Sequence, residues 1–139
     1  MPESRPRRRP HPSGRLAGAE HALDLSAALR ALRSEAGSAS GSGHRQITLL
    51  HHGPVRLVLF AFEKGGRMPE HRAPGWITIH VLRGSLRMRT PDAQHELGAG
   101  QLLALAPDMA HDVEAVEESD MLLGIYPEAP VGSAVSASR

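Results

Sequence analysis

The sequence predicts an all-β domain, an antiparallel barrel or sandwich with one short helix ahead of it, and three observations carry that expectation. From Gln46 onward the chain breaks into eight short apolar or alternating runs. Gly, Pro, Asp and Ser punctuate those runs at even intervals. Only one stretch has helical periodicity, and 139 residues suit one compact domain.

The elements follow in chain order. Residues 1–22 read as a basic disordered tail, because the apolar content is too small to order the chain. In residues 23–36, Leu25, Leu29 and Leu32 recur at helical spacing, Asp24 or Ser26 can cap the amino end, and Gly37 is a natural stop. A helix this short persists only if it docks. Residues 37–44 form a Gly/Ser linker. Strands are then expected over Gln46 to His51, Val55 to Glu63, Trp76 to Arg83, Ser85 to Thr90, Gln94 to Leu97, Gln101 to Ala106, His111 to Glu117 and Met121 to Tyr126. The barrel thus occupies residues 45–127, and residues 128–139, which lack periodicity, read as a second disordered tail.

Composition narrows the chemistry. With no Cys there is no disulfide framework, thiolate chemistry or Cys-ligated metal, so a metal would need the nine His and the carboxylates. The longest apolar runs, such as Leu57 to Phe62, fall far short of the roughly 20 residues that cross a bilayer. Residues 1–14 lack the apolar centre of a secretory signal, so a cytoplasmic protein is expected. Arg5, Arg7, Arg8, Arg9 and Arg15 face only Glu3 in the first 15 residues, which leaves 11 basic and 14 acidic groups in a mildly acidic body. That tail is read as a solvated leader and not as a nucleic-acid contact, since no other feature suggests such a partner. Fifteen of the 16 basic residues are Arg, a bias that with abundant Ala, Gly and Pro fits a GC-rich bacterial genome.

Two stretches carry a resemblance. The first is GGRMPEHRAPGWITIHVLRG, Gly65 to Gly84, and the second is GAGQLLALAPDMAH, Gly98 to His111. They resemble the paired motifs of the cupin superfamily over about 80 residues, Leu49 to Tyr126. Gly66, His71 and Gly84 match the first motif, and Gly100, Pro107 and His111 the second, with 15 residues between Gly84 and Gly100. The resemblance implies a cupin β-barrel (double-stranded β-helix, or jelly roll), a homodimer, and a site in which inward-pointing His and a Glu hold a divalent Fe, Mn, Ni or Zn ion.

The chain departs from that pattern at two of four ligand positions. Ala73 stands where the second His of His-x-His belongs, and Ile77 where the Glu belongs. Neither side chain can donate to a metal. His71 and His111 remain as candidate metal ligands. Glu70 and His80 are possible substitutes, although strand alternation sends His80 to the face opposite Ile77 and gives Glu70 the opposite parity to His71. Trp76, at the head of the same strand, can stack on a ligand or pack at the rim. No phosphate loop, Gly-x-Ser-x-Gly elbow or His-Glu-x-x-His helix competes.

Three functions are weighed. One is a protein that binds a small organic ligand in an apolar pocket containing His71, Ala73, Trp76, Ile77 and His111, with metal binding weakened by Ala73 and Ile77. Another is a metal-dependent oxygenase, isomerase or lyase using His71 and His111 as ligands. The third, a regulatory module contacting DNA through the basic tail, lacks a helix-turn-helix.

Overall fold

The computed structural model describes residues 18–35 and 41–127. Most of the expected amino-terminal tail, residue 36 of the expected helix, residues 37–40 of the linker and the carboxy-terminal tail lie outside the described residues.

Among the described residues, one helix, α1 (Leu25–Arg33), precedes nine strands. These are β1 (His44–His52), β2 (Val55–Phe62), β3 (Arg67–His71), β4 (Trp76–Arg83), β5 (Ser85–Arg89), β6 (Gln94–Gly98), β7 (Leu102–Leu105), β8 (His111–Ala115) and β9 (Ser119–Tyr126). They form two antiparallel sheets, one in the order β1-β2-β9-β4-β7 and the other β3-β8-β5-β6. No described helix is long and apolar enough to cross a membrane.

Strand alternation explains the core. In β4, Ile77, Ile79 and Val81 are buried while Trp76, Thr78 and His80 face outward. Val58, Phe60 and Phe62 from β2, Leu86 and Met88 from β5, Val113 and Ala115 from β8, and Met121 and Leu123 from β9 fill the space between the sheets. Strand β2 is buried on both faces from Val58 to Phe62. Helix α1 packs on the outer face of β1 and β2, where Leu59 and Ala61 are buried together with Leu32 of the helix.

The helix is shorter than its sequence pattern. Asp24 caps it, its carboxylate accepting from the Ala27 N–H at 2.9 Å. Ser34 is its C-cap, the N–H still closing the last helical bond to the Arg30 carbonyl (3.1 Å) and the hydroxyl turning back to donate to the Ala31 carbonyl (3.0 Å). The last helical residue anchors the element electrostatically. Arg33 and Arg83 both pair with the buried Asp120 carboxylate, at 2.5 and 2.9 Å, and Arg83 also reaches Glu118 at 2.6 Å. The hydrogen bond from Arg83, with the charge of Arg33 behind it, holds the Glu118 carboxyl below its usual pKa.

The ninth strand, β3, is absent from the sequence-based expectation of eight. It pairs with β8 at the edge of the four-stranded sheet, with Met68 opposite Val113 and His71 opposite His111. Three positions on β3 span two on β8, so β3 contains a bulge around Pro69 and Glu70. The bulge places Met68 and His71, an odd number of residues apart, on one face. Alternation therefore gave no warning of the strand.

Candidate functional site

Two ends of the five-stranded sheet differ in character. The Arg33–Asp120–Arg83 pairs stand where β4 ends and β9 begins. A cavity of about 460 Å³ opens at the other end, where β4 begins and β9 finishes. Its floor is one cross-strand row read from the register: His51 opposite Arg56, Arg56 opposite Ile125, and Ile125 opposite Ile77. Leu123 continues the apolar part of this floor.

The facing wall is the β3–β4 connection, which contributes His71, Arg72, Ala73, Pro74 and Gly75. The loop between β7 and β8 clamps it in place. The Asp108 N–H donates to the Ala73 carbonyl at 2.8 Å, and a guanidinium N–H of Arg72 donates to the Asp108 carbonyl at 3.0 Å. Asp108 makes both contacts from a left-handed backbone, φ 62°. Asp tolerates that region better than most side chains, which suits it to this corner.

His71 closes β3 and His111 opens β8, and their rings meet with centroids 4.2 Å apart and planes tilted by 60°. His111 is buried at 3% exposure, whereas His71 reaches solvent. Both rings are oriented the same way: Nδ1 of His71 lies 2.9 Å from the Pro69 carbonyl, and Nδ1 of His111 lies 2.9 Å from the Met109 carbonyl. A carbonyl only accepts, so each Nδ1 carries the proton in these bonds and each neutral ring keeps its lone pair on Nε2.

Burial pushes the His111 pKa below the ordinary 6.5, and the charge of His71 adds to that, while the Met109 carbonyl and Asp112 act in the opposite direction. Folded His111 therefore binds a proton more weakly than unfolded His111. Its contribution to stability is complete above about pH 6.5 and is lost as the pH falls through that value toward the lower folded pKa. Calorimetric melting temperatures should accordingly fall less between about pH 7.5 and pH 5.5 in His111→Gln than in the parent protein. Parallel pH profiles would show that His111 is not the group responsible.

Residues 58–125 match the family model described as the cupin domain. The chain is a small member of the cupin superfamily. No curated protein matches it. Among solved structures, a conserved protein of unknown function from Streptococcus pyogenes aligns with a TM-score of 0.65 at 21% identity, covering 80% of this chain and 92% of that one. An RmlC-like cupin from Desulfovibrio desulfuricans aligns with a TM-score of 0.58 at 25% identity, over 68% and 92% of the two chains. KdgF from Halomonas sp. gives 0.59 at 17% identity, over 66% and 86%. These likenesses agree with the two-sheet β-barrel.

Within this cupin barrel the residues singled out from the sequence separate into two groups. His71, Ala73 and Ile77 line the cavity, and His111 packs against His71 from behind. Glu70 is exposed and lines a different cavity of about 420 Å³ with Arg67, Arg89, Asp112 and Glu114. His80 lies on the outer face of β4, opposite Leu102 on β7 and Leu122 on β9. Trp76 corrects an expectation. It was expected in the pocket, yet it is 46% exposed, faces outward opposite Tyr126 and does not line the cavity, because it has the outward parity of Thr78 and His80.

Alternation could have identified two cavity residues that sequence reasoning passed over. Arg56 shares the inward parity of Val58, Phe60 and Phe62, and His51 pairs directly with it.

The donor set does not fit a resident cupin metal. Ala73 and Ile77 offer no ligand atom, and Glu70 and His80 stand apart from the histidine pair. Among the described residues, no group of three or more His, Asp or Glu side chains is placed to hold an ion.

Proposed function

We propose that this cupin binds a small organic molecule in the cavity beside His71, with Ala73, Ile77, Leu123 and Ile125 contacting its apolar part and His111 supporting His71 from beneath. The observation that carries this reading is the cavity itself. It has about 460 Å³ of space, within the roughly 300–1,000 Å³ typical of ligand pockets, its floor is apolar on β9 and β4, and it occupies the mouth of a β-barrel. Loss of donors at Ala73 and Ile77 converts the family's ion-binding corner into apolar contact surface. The role that follows is a sensor or accessory protein.

The test is a fragment screen by NMR on methyl-labelled full-length protein. Small organic fragments should shift the methyl signals of Ile77, Leu123 and Ile125 saturably, and Ala73→Phe, which fills the cavity, should abolish the shifts. The reading fails if no fragment moves these methyls, or if Ala73→Phe, still folded by its amide spectrum, binds as before.

One observation favours a second reading, a metal-dependent oxygenase, isomerase or lyase. Both Nδ1 atoms bond carbonyls, so two Nε2 lone pairs are left on adjacent rings, as metal-ligating histidines require. Two imidazoles alone make a weak and unselective site, which is why ligand binding takes precedence.

A further inference from the structure

The geometry points to the chemical class of the ligand: we infer that it is a small amphipathic carboxylate, its charged end between Arg56 and Arg72 and its apolar end on Ile77 and Ile125. This rests on the reading of the cavity as a ligand site and adds the charge and polarity of the molecule it takes.

The argument starts from the distribution of charge. Acidic groups outnumber basic ones in the chain beyond its first 15 residues, 14 against 11. The residues lining the cavity reverse that balance. Among the described residues, His51, Arg56, His71 and Arg72 line it, and no Asp or Glu does. Concentrating guanidinium groups around a concave surface without a carboxylate creates a local positive potential that only an anion relieves.

Both arginines have donors to offer. Arg56 makes no ion pair among the described residues. Arg72 spends one N–H on the Asp108 carbonyl at 3.0 Å, a contact that fixes the side chain without neutralising it. A guanidinium has five N–H donors in a rigid fork, so either arginine can grip a carboxylate through two of them.

The cross-strand row sets the polarity along the cavity. On adjacent strands β1 and β2 it presents His51 and Arg56, and on the next two, β9 and β4, it presents Ile125 and Ile77. Two strand spacings of about 4.8 Å separate the backbone of Arg56 from that of Ile77, so the change from basic to apolar takes place within roughly 10 Å. A neutral apolar molecule would leave the arginines without a partner, and a small dianion or sugar phosphate would leave the isoleucines without one. A short aliphatic or aromatic monocarboxylate meets both halves.

Hexanoate and hexanamide separate the possibilities, since they share a tail and differ in charge. In methyl-detected NMR titrations of the full-length protein at low salt, hexanoate should bind at least about tenfold more tightly than hexanamide, the value of one good charge-assisted contact. Added salt should weaken hexanoate and leave hexanamide unchanged. Arg56→Gln and Arg72→Gln, which keep side-chain bulk, should each lower hexanoate affinity several-fold without changing hexanamide affinity. Equal binding of the two probes, or a hexanoate preference that survives both substitutions together, overturns the carboxylate inference while ligand binding stands. If neither probe nor any fragment moves the Ile77, Leu123 and Ile125 methyls, the underlying binding reading fails as well.

Discussion

Gly84→Ala is expected to destabilise the barrel by about 2–5 kcal/mol, the upper range for a single substitution. Two independent costs add. Gly84 has φ +88°, a conformation that costs an L-residue roughly 1–2 kcal/mol. A Cβ there would also overlap the Glu118 carbonyl and the Ser119 hydroxyl. The hydroxyl cannot retreat cheaply, because Ser119 is fully buried, accepts from the Ser85 N–H at 3.0 Å and contacts the Glu117 carbonyl at 2.8 Å. Displacing it leaves a part-buried N–H unsatisfied, worth about 1–3 kcal/mol. Melting temperature should fall by roughly 10 °C or more, given about 4–8 °C per kcal/mol for a domain near this size. Backbone hydrogen exchange should show helix α1 loosening together with the β4–β5 turn, since neighbouring Arg83 shares Asp120 with Arg33 of the helix. A fall of less than about 5 °C would mean that the hairpin relaxes around the methyl group.

The position of this glycine shows why most of the fold could be read from sequence. Strands β2 and β4 to β9 carry alternating or continuous apolar residues, and most are followed within a few residues by Gly or Pro, so local pattern and tertiary burial agree. Strand β3 fails that test for a physical reason. Its Arg67, Pro69, Glu70 and His71 are exposed, Pro69 cannot donate to a ladder, and the extra residue before His71 breaks the two-residue period. An edge strand tolerates all three features, and only its pairing with β8 reveals it as a strand. The site shows the same division. Motif spacing marks His71, Ala73 and Ile77, which line the candidate cavity, and His111, which packs against His71. The contribution of His51 and Arg56 depends on which strands become neighbours, and the order β1-β2-β9-β4 is a property of the folded sheet.

The two ends of that sheet carry different loads. At one end, buried Asp120 and exposed Glu118 together hold two arginines and dock the helix, so the charges are neutralised within the protein. At the other, Arg56 and Arg72 line an open cavity with no carboxylate among its described lining residues. The unneutralised set stands beside the apolar surface left by Ile77 and Ala73, which connects loss of the metal donors to the kind of ligand inferred here.

That connection makes the largest functional prediction reversible. Tag-free parent protein should contain clearly less than one transition-metal ion per chain by elemental analysis, whereas Ala73→His combined with Ile77→Glu should approach one. Both substituted positions line the cavity that His71 enters, and His111 abuts His71, so the double variant brings four N and O donors to one corner. The same change has a cost without metal. Ile77 is 3% exposed, and a carboxylate there loses its hydration, so the metal-free variant should be less stable than its parent by about 2–4 kcal/mol. Metal at about 100 times its dissociation constant should restore about 2.7 kcal/mol, raising the melting temperature in a chelator-reversible way that the parent does not share. Hexanoate affinity should fall in the same variant, because the new carboxylate repels the anion and removes apolar contact. One tightly held ion in the parent, lost in both His71→Ala and His111→Ala, would instead establish the histidine pair as a metal centre and displace the ligand-binding reading.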